Sequence, residues 1–487
     1  MESKFPLYSV EQIKLLEQQA FARDFSEDEL MLSAGQAAFK VVQKYFPTVR
    51  NIAVYCGGGN NGGDGYVVAR LAFQQGYMVT IYQYKAVAEL PSAACHAALE
   101  AISAGVPIHA FDEPLESDTE LIIDAILGIG IKGKVKESLS HVINNINDTS
   151  LPILSLDVPS GLDVDTGQVL GTCIKATMTV TFLGDKLGFY TLDGPDFCGE
   201  VIVNSLNQNN FIPPAANLLN YSEVKDSLKP RVKNSHKGMY GHVLIVGGGI
   251  GMPGSVCLAA QAALRIGAGV VTIATNPEHT NGVLPQLFEA MVYGIKTENE
   301  LLPLLEKATV CILGPGLGMG EWAETLFKTT ITSQLPLVID ASALHLLARY
   351  KQKDDNWILT PHPGEAAVLL DSNTKAIQED RFAAASALQQ EYGGCIVLKG
   401  MGTVINTGKG TFVCAAGNPG MATAGMGDTL SGIIGGLIAQ GLSLVEAAKL
   451  GVLLHAQAGD DAAQDCGERG MLASDLIPFL RKRINLL

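Results

Sequence analysis

The sequence predicts an α/β protein of two domains, each built on a largely parallel sheet covered by helices. Three observations predict it. At 487 residues the chain exceeds what one hydrophobic core ordinarily holds, so a division in two is expected. Apolar residues make up 47% and charged residues 17%, a balance that suits parallel strands buried on both faces. Short β-rich runs also alternate with runs of helical spacing along most of the length.

In the first half, "NIAVY" (51–55) reads as a strand and "GYVVARLAFQQG" (65–76) as a helix ending on glycine. "YMVTIYQY" (77–84) is a second strand, followed by a helix near 92–104. "LIID" (121–124) leads into a glycine loop, and "PILSLD" (152–157) leads into "VPSG". This rhythm implies a doubly wound, Rossmann-like sheet. The run "NQNNFIPPAANLLN" (207–220) breaks it with asparagines and a double proline. The boundary is expected between about 207 and 230, giving domains 1–220 and 221–487. The second half resumes the alternation with "HVLIVGG", "VVTIAT", "VCILGPG", "PLVIDA", "WILTPHPG" and "CIVLKG". "GTVINTGKGTFVCAAG" reads as a hairpin around "TGKG", and "GNPGMATAGMGDTLSGIIGGLIAQ" as a glycine loop opening a helix from about Thr429. No repeat relates the halves.

A net charge of −15 with no Lys/Arg cluster argues against nucleic acid or an anionic membrane as partner. The nine cysteines include no C-x-x-C pair, and most sit in apolar runs, as free thiols of a cytoplasmic protein would. The N-terminus lacks a signal-peptide core. Val243 to Leu264 is uncharged and long enough to span a bilayer, yet its "GGGIGMPG" reads as strand, turn and helix instead.

In open α/β sheets, ligands lie at the carboxyl ends of strands. "NIAVY" delivers "GGGNNGGDG" there, where glycines permit positive φ or close backbone approach and the next helix turns free N–H groups toward an anion. Asp124 and Asp157 end two further strands, with "LGIGIKGK" between them offering Lys132 and Lys134 to phosphate. A strand-end aspartate also caps loops, so neither alone marks a site. Together with Asn60, Asn61, Asp64 and Ser160 they form an oxygen-rich set without histidine, suited to a hard, monovalent cation beside a phosphate-bearing ligand.

"GGGNNGGDGYVVAR…LIIDAILGIGIKG…LSLDVPSGLDVDTG…TVTFLGDKLG" resembles the NAD(P)H-hydrate epimerase family over most of residues 10–205. The resemblance implies that Asn60, Asn61, Gly62, Gly63 and Asp64 hold the hydrated cofactor. It implies that Gly128, Ile129, Gly130, Ile131, Lys132, Gly133 and Lys134 hold its phosphates. Asn61, Asp124 and Ser160 would bind K⁺, and Asp157 would meet the damaged ring. A hydroxyl beside a ring nitrogen leaves with help from the nitrogen lone pair. One acid that protonates the departing oxygen and then deprotonates incoming water would exchange the epimers, and Asp157 is the candidate.

In the second half, the glycines of "NPGMATAGMGDTLSGIIGGL" and the following helix make an anion hole with Asp428 at its rim. A carboxylate there can take the proton of a hydroxyl attacking phosphorus, or can merely N-cap the helix. "VLKGMGTV" offers Lys399, "LTPHPGEAA" places His362 at a strand end, and "LGPGLG" is another bare loop. No GxxxxGK[ST] occurs.

These segments resemble the ribokinase-like fold, and more narrowly the ADP/ATP-dependent NAD(P)H-hydrate dehydratases, over nearly all of 231–487. By that similarity Gly318, His362 and Asp428 would contact the hydrate. Lys399, Gly400, Met401, Gly402 and Thr403 would bind the nucleotide, with Asn418, Gly420, Met421, Ala422, Thr423, Gly425 and Gly427. ADP, with Mg²⁺, would be the phosphoryl donor and the chain a homo-oligomer. "DASALH" (340–345) stands where the family has "DADALN", and Ala424 where glycine is common; its methyl is tolerable only at negative φ. The resemblance thus implies a bifunctional repair enzyme for hydrated NADH and NADPH. Two other readings are a vitamin-alcohol kinase, which would accumulate phosphorylated product, and a scaffolding module, which would lack Asn61, Asp124 and Asp157.

Overall fold

The computed structural model describes residues 5–23, 25–208, 212–224 and 227–486. The chain forms two compact units, divided between Ala216 and Asn217.

The first unit carries a seven-stranded sheet in the order Ile108–Ala110, Met78–Gln83, Asn51–Cys56, Leu121–Ala125, Ile153–Leu156, Met178–Phe182, Glu200–Asn204. Every pairing in it is parallel. Strand order reverses between Asn51–Cys56 and Leu121–Ala125, the switch point where a doubly wound sheet opens a crevice. Alternate residues face opposite cores. Val54, Ile123 and Leu154 pack under the helices Glu27–Tyr45, Asn60–Gln74 and Ser92–Ser103. Ala53, Tyr55, Ile122 and Ile153 pack under Glu137–Asn147. The helices Val10–Phe21 and Glu27–Tyr45 begin with capping boxes, Ser9 with Gln12 and Ser26 with Glu29.

The second unit orders its strands Met291–Gly294, Val270–Thr275, His242–Val246, Val310–Leu313, Leu337–Ile339, Trp357–Leu359, Cys395–Leu398, Thr403–Asn406, Thr411–Cys414. Pairing is parallel as far as Cys395–Leu398 and antiparallel through the hairpin. Asn217 and Leu218 run parallel beside Phe412 and Val413. One core contains Val243, Ile245 and Ile312 against the helices Pro253–Ile266, Met426–Ala439 and Leu444–Cys466. The other contains Leu244, Val246 and Leu313 against Glu321–Ile331, Ser342–Tyr350 and Arg381–Tyr392. Helix Met426–Ala439 is glycine-rich because it packs backbone to backbone: a Cβ on Gly432 would lie 2.2 Å from Ala259 O.

Two expected loops are helix. Asn60 to Asp64 form the start of Asn60–Gln74, leaving only Gly57–Gly59 as the turn after the strand. The second helix starts at Met426, three residues before the expected Thr429, and puts Asp428 inside its first turn. Helix-poor glycines hide both starts in the sequence. The stretch from Val243 is strand, turn and helix, and among the described residues no helix is long and apolar enough to cross a membrane. All nine cysteines are free.

Candidate functional site

The switch point of the first unit opens into a cavity of ≈ 800 Å³. Its wall includes Asn60, Asn61, Asp64, Gly128, Ile129, Gly130, Ile131, Lys132, Lys134 and Asp157. Gly62, Gly63, Gly133, Asp124 and Ser160 do not line it. The first loop needs glycine for approach and not for φ, since none of its glycines is left-handed. A Cβ on Gly57 would stand 1.8 Å from Ile126 O, and one on Gly62 would stand 2.2 Å from Gly57 O. The loop is thereby pressed onto its neighbour, and the helix start faces the cavity.

Behind that wall lies a connected set of oxygens. Asn61 Nδ2 donates to Leu127 O (3.0 Å), and so does Ser160 Oγ (3.2 Å). Ser160 Oγ also donates to Asp124 Oδ1 at 2.5 Å, while Ser160 N and Ser155 Oγ donate to Asp124 Oδ2 at 2.9 and 2.8 Å. Burial pushes the Asp124 carboxyl up, and these donors pull it back. Asn61 Oδ1 is buried with no hydrogen-bond partner. An orphaned acceptor among oxygens fits a cation, and the described residues hold no His/Cys/Asp/Glu cluster for a transition metal.

Asp157 ends its strand at φ +62, in a tight turn where Val158 N donates to Leu156 O at 2.7 Å. A non-glycine residue held there is strained, which marks a position fixed by its surroundings. Its Oδ1 accepts from the fully buried Lys186 Nζ (2.7 Å) and more weakly from Thr181 Oγ1 (3.3 Å). Lys186 also donates to Thr181 Oγ1, Phe182 O and Gly184 O. Sequence reasoning missed Lys186; its signal is a lysine in the otherwise apolar and glycine-rich "TVTFLGDKLG". It also missed Glu17, on the cavity wall from the helix Val10–Phe21, whose carboxyl is raised by burial and by Asp157. Asp64 is pushed well above the ordinary carboxyl range by burial, then by Asp157 and Glu17.

In the second unit, four strand ends converge on the start of helix Met426–Ala439. Gly314, Gly316 and Gly318 all have positive φ, and a Cβ on Gly314 would meet Asp340 O at 1.8 Å. Asp340 is buried after its strand; its Oδ1 takes Lys399 Nζ at 3.0 Å and its Oδ2 takes Ser431 Oγ at 2.8 Å. Lys399 Nζ also lies 3.7 Å from Glu365 Oε2. Burial works against the Lys399 charge, but Asp340 and Glu365 outweigh it and raise its pKa. Asp428 has no such contact. Burial, then the Asp340 charge, push its carboxyl up to about 6, against the opposing pull of Ser255 and Lys399.

Asp428 does not cap its helix: the N-cap is Gly425, at φ +89 with no side-chain bond. His362 does cap one, its Nδ1 accepting from Gly364 N (3.0 Å) and Glu365 N (3.3 Å) while its ring stays half-exposed. Ala424 is not among the residues with positive φ, so its methyl meets the condition set above. The 417–420 turn is tied by Asp460, which accepts from Gly417 N and Asn418 Nδ2, each at 3.0 Å. The loop from Lys399 to Gly402 is held by buried Arg381, whose Nη2 donates to Leu398 O, Lys399 O and Gly402 O at 3.2–3.3 Å. Asp340, Glu365 and Arg381 were not read as site residues from sequence, because each acts through a partner more than thirty residues away or through backbone.

Comparison with known proteins gives the same division. The NAD(P)H-hydrate dehydratase family matches residues 243–482, and the YjeF-related protein N-terminus family matches residues 27–188. The bifunctional NAD(P)H-hydrate repair enzyme Nnr of Coxiella burnetii is 48% identical over 484 residues, covering 98% of this chain and 99% of that protein. The Escherichia coli protein of the same description is 41% identical over 461 residues, covering 94% and 89%. A solved ribokinase-like superfamily protein from Enterococcus faecalis superposes with a TM-score of 0.52 at 29% identity, covering 57% of this chain and 98% of that one.

Proposed function

Because this chain belongs to the family of bifunctional NAD(P)H-hydrate repair enzymes, we propose that residues 1–220 exchange the R and S epimers of hydrated NADH and NADPH while residues 221–487 dehydrate the S form with ADP. The observation that carries the reading is a repeated pairing. Each unit sets a carboxylate, Asp157 or Asp428, near a buried or largely buried lysine, Lys186 or Lys399.

In the first crevice the rim lysines Lys132 and Lys134 suit the pyrophosphate, and Asp157 suits the damaged ring. Asn61, Leu127 O, Asp124 and Ser160 are the oxygens that fit K⁺; bound there, it would supply positive charge beside the ligand's phosphates. In the second crevice Asp428 takes the proton of the ring hydroxyl as its oxygen bonds to the terminal phosphorus of ADP, and AMP departs. The ring nitrogen then expels phosphate, and loss of a proton from the adjacent carbon restores the dihydronicotinamide. Mg²⁺ accompanying the nucleotide would neutralise phosphate charge, a role that Lys399, held by Asp340 and Glu365, would share.

The test supplies each epimer with ADP or ATP, with and without K⁺, and follows the returning dihydronicotinamide absorbance. Both epimers should convert fully. Asp157→Asn should strand the R form and spare the S form, and Asp428→Asn should stop both. Accumulation of a phosphorylated product in place of reduced cofactor would make the chain a small-molecule kinase.

A further inference from the structure

We propose that Asp64 is a second catalytic residue of the first crevice, the acid that faces the base Asp157 across the reacting ring carbon. The inference rests on the epimerase reading and divides the labour that a single aspartate was expected to perform.

Asp64 is the fifth residue of helix Asn60–Gln74, which follows the strand Asn51–Cys56 after the turn Gly57–Gly59, and Asp157 directly follows Ile153–Leu156. One strand, Leu121–Ala125, lies between those two. At roughly 4.8 Å per strand, their ends are about 10 Å apart, and both side chains line the same cavity. Their surroundings differ in kind. Asp157 accepts from the fully buried Lys186 Nζ at 2.7 Å. Among the described residues Asp64 has no hydrogen-bond donor and no cation; the charged groups that face it are Asp157 and Glu17, both acidic. Around Glu17 stand Lys14, Lys186 and Glu27. Burial and the two acids therefore favour the protonated form of Asp64.

One carboxyl kept protonated and one kept ionised is how a site separates its acid from its base. The reaction needs that separation. The hydrate's reacting carbon adjoins a ring nitrogen as a sugar's anomeric carbon adjoins the ring oxygen. Replacing its hydroxyl by water on the other face is an inversion, and inverting glycosidases achieve it with two carboxyls roughly 6.5–9.5 Å apart. Here the Asp64 O–H gives its proton to the hydroxyl, the C–O bond breaks, and the nitrogen lone pair forms C=N⁺ as water leaves. A water on the opposite face then bonds to the carbon, gives a proton to Asp157, and the π electron pair returns to nitrogen. One proton has moved from Asp64 to Asp157. The site is then set for the reverse direction, and exchange with solvent restores it.

The experiment measures R-to-S exchange by the full chain across pH, with dehydration of the S form in the same chain as the folding control. In the wild type, kcat falls as pH rises through the Asp64 pKa. Asp64→Asn should lower kcat about 10²–10⁴-fold, leave KM for the hydrate within about threefold, and abolish the alkaline limb; Asp64→Glu should restore part of both. Exchange retained by Asp64→Asn overturns the proposal alone. So does a change confined to KM, or an alkaline limb that persists in Asp64→Asn or disappears only in Glu17→Gln. Absence of exchange in the wild type overturns the epimerase reading, and this inference with it.

Discussion

The position of the acidic limb of dehydration is set by charges around Asp428, and two substitutions should move it in opposite directions. Asp428 must be ionised to take the hydroxyl proton, so kcat/KM should rise with pH and reach half its plateau at about 6. One pH unit below that, about a tenth of the base is ionised, and the rate should be about tenfold lower. The carboxyl sits about two units above its ordinary 3.8, burial being the larger cause and the Asp340 charge the next. Asp340→Asn removes the second of the raising causes, so the limb should fall. Lys399→Met removes a cation that favours the ionised form, so the limb should rise. Either change can cost plateau rate, but the limb's midpoint reads the field at Asp428 separately from that loss. The assay is dehydration of S-hydrate with saturating nucleotide from about pH 5 to 8. A midpoint far from 6 in the wild type, or movement of both variants in one direction, would refute the reasoning.

Other consequences are as direct. Burial lowers the Arg381 pKa from 12.5 to about 10, and the guanidinium donates to three carbonyls and to Gln378. Arg381→Met should destabilise the second unit by ~2–4 kcal/mol in denaturant titration and raise KM for ADP more than it lowers kcat; unchanged values would mean the guanidinium merely fills space. Gly57→Ala drives a methyl onto Ile126 O and should lower epimerisation with little effect on dehydration, read by assaying both epimers in one preparation. Removing K⁺ should slow epimerisation only, and Asn61→Ala should raise the K⁺ concentration for half-maximal rate, because it deletes the one buried oxygen of the set left without a partner.

What the sequence discloses about this fold is what local chemistry determines. Runs such as "HVLIVGG" and "CIVLKG" carry β-rich residues stopped by glycine, and both are central strands. Ile108–Ala110 carries no such signature and Met291–Gly294 only a short one; both are edge strands that need only one neighbour. Asp157 and Asp428 were legible because an acid follows a strand or enters a glycine loop. The strained φ of Asp157 was not, since it belongs to the tight turn closed by Val158 N and Leu156 O. Glycine density pointed to both sites, yet for different reasons. In the first loop the missing Cβ lets backbones touch, whereas in the second unit Gly314, Gly318 and Gly425 use positive φ as well.

The two lysines explain why the crevices need different acids. Lys186 touches Asp157 itself, and by the proposal above the first crevice finds its proton donor elsewhere on the wall. Lys399 touches Asp340 and Glu365 instead, and burial with the Asp340 charge raises Asp428 despite the opposing pull of Ser255 and Lys399. A base held there binds a proton near neutral pH, strongly enough to deprotonate a hydroxyl as it attacks phosphorus and weakly enough to release that proton afterwards. Exchanging these arrangements would defeat both reactions: a cation clamped to Asp428 would weaken it as a base, and an uncompensated Asp157 would compete with Asp64 for the same proton.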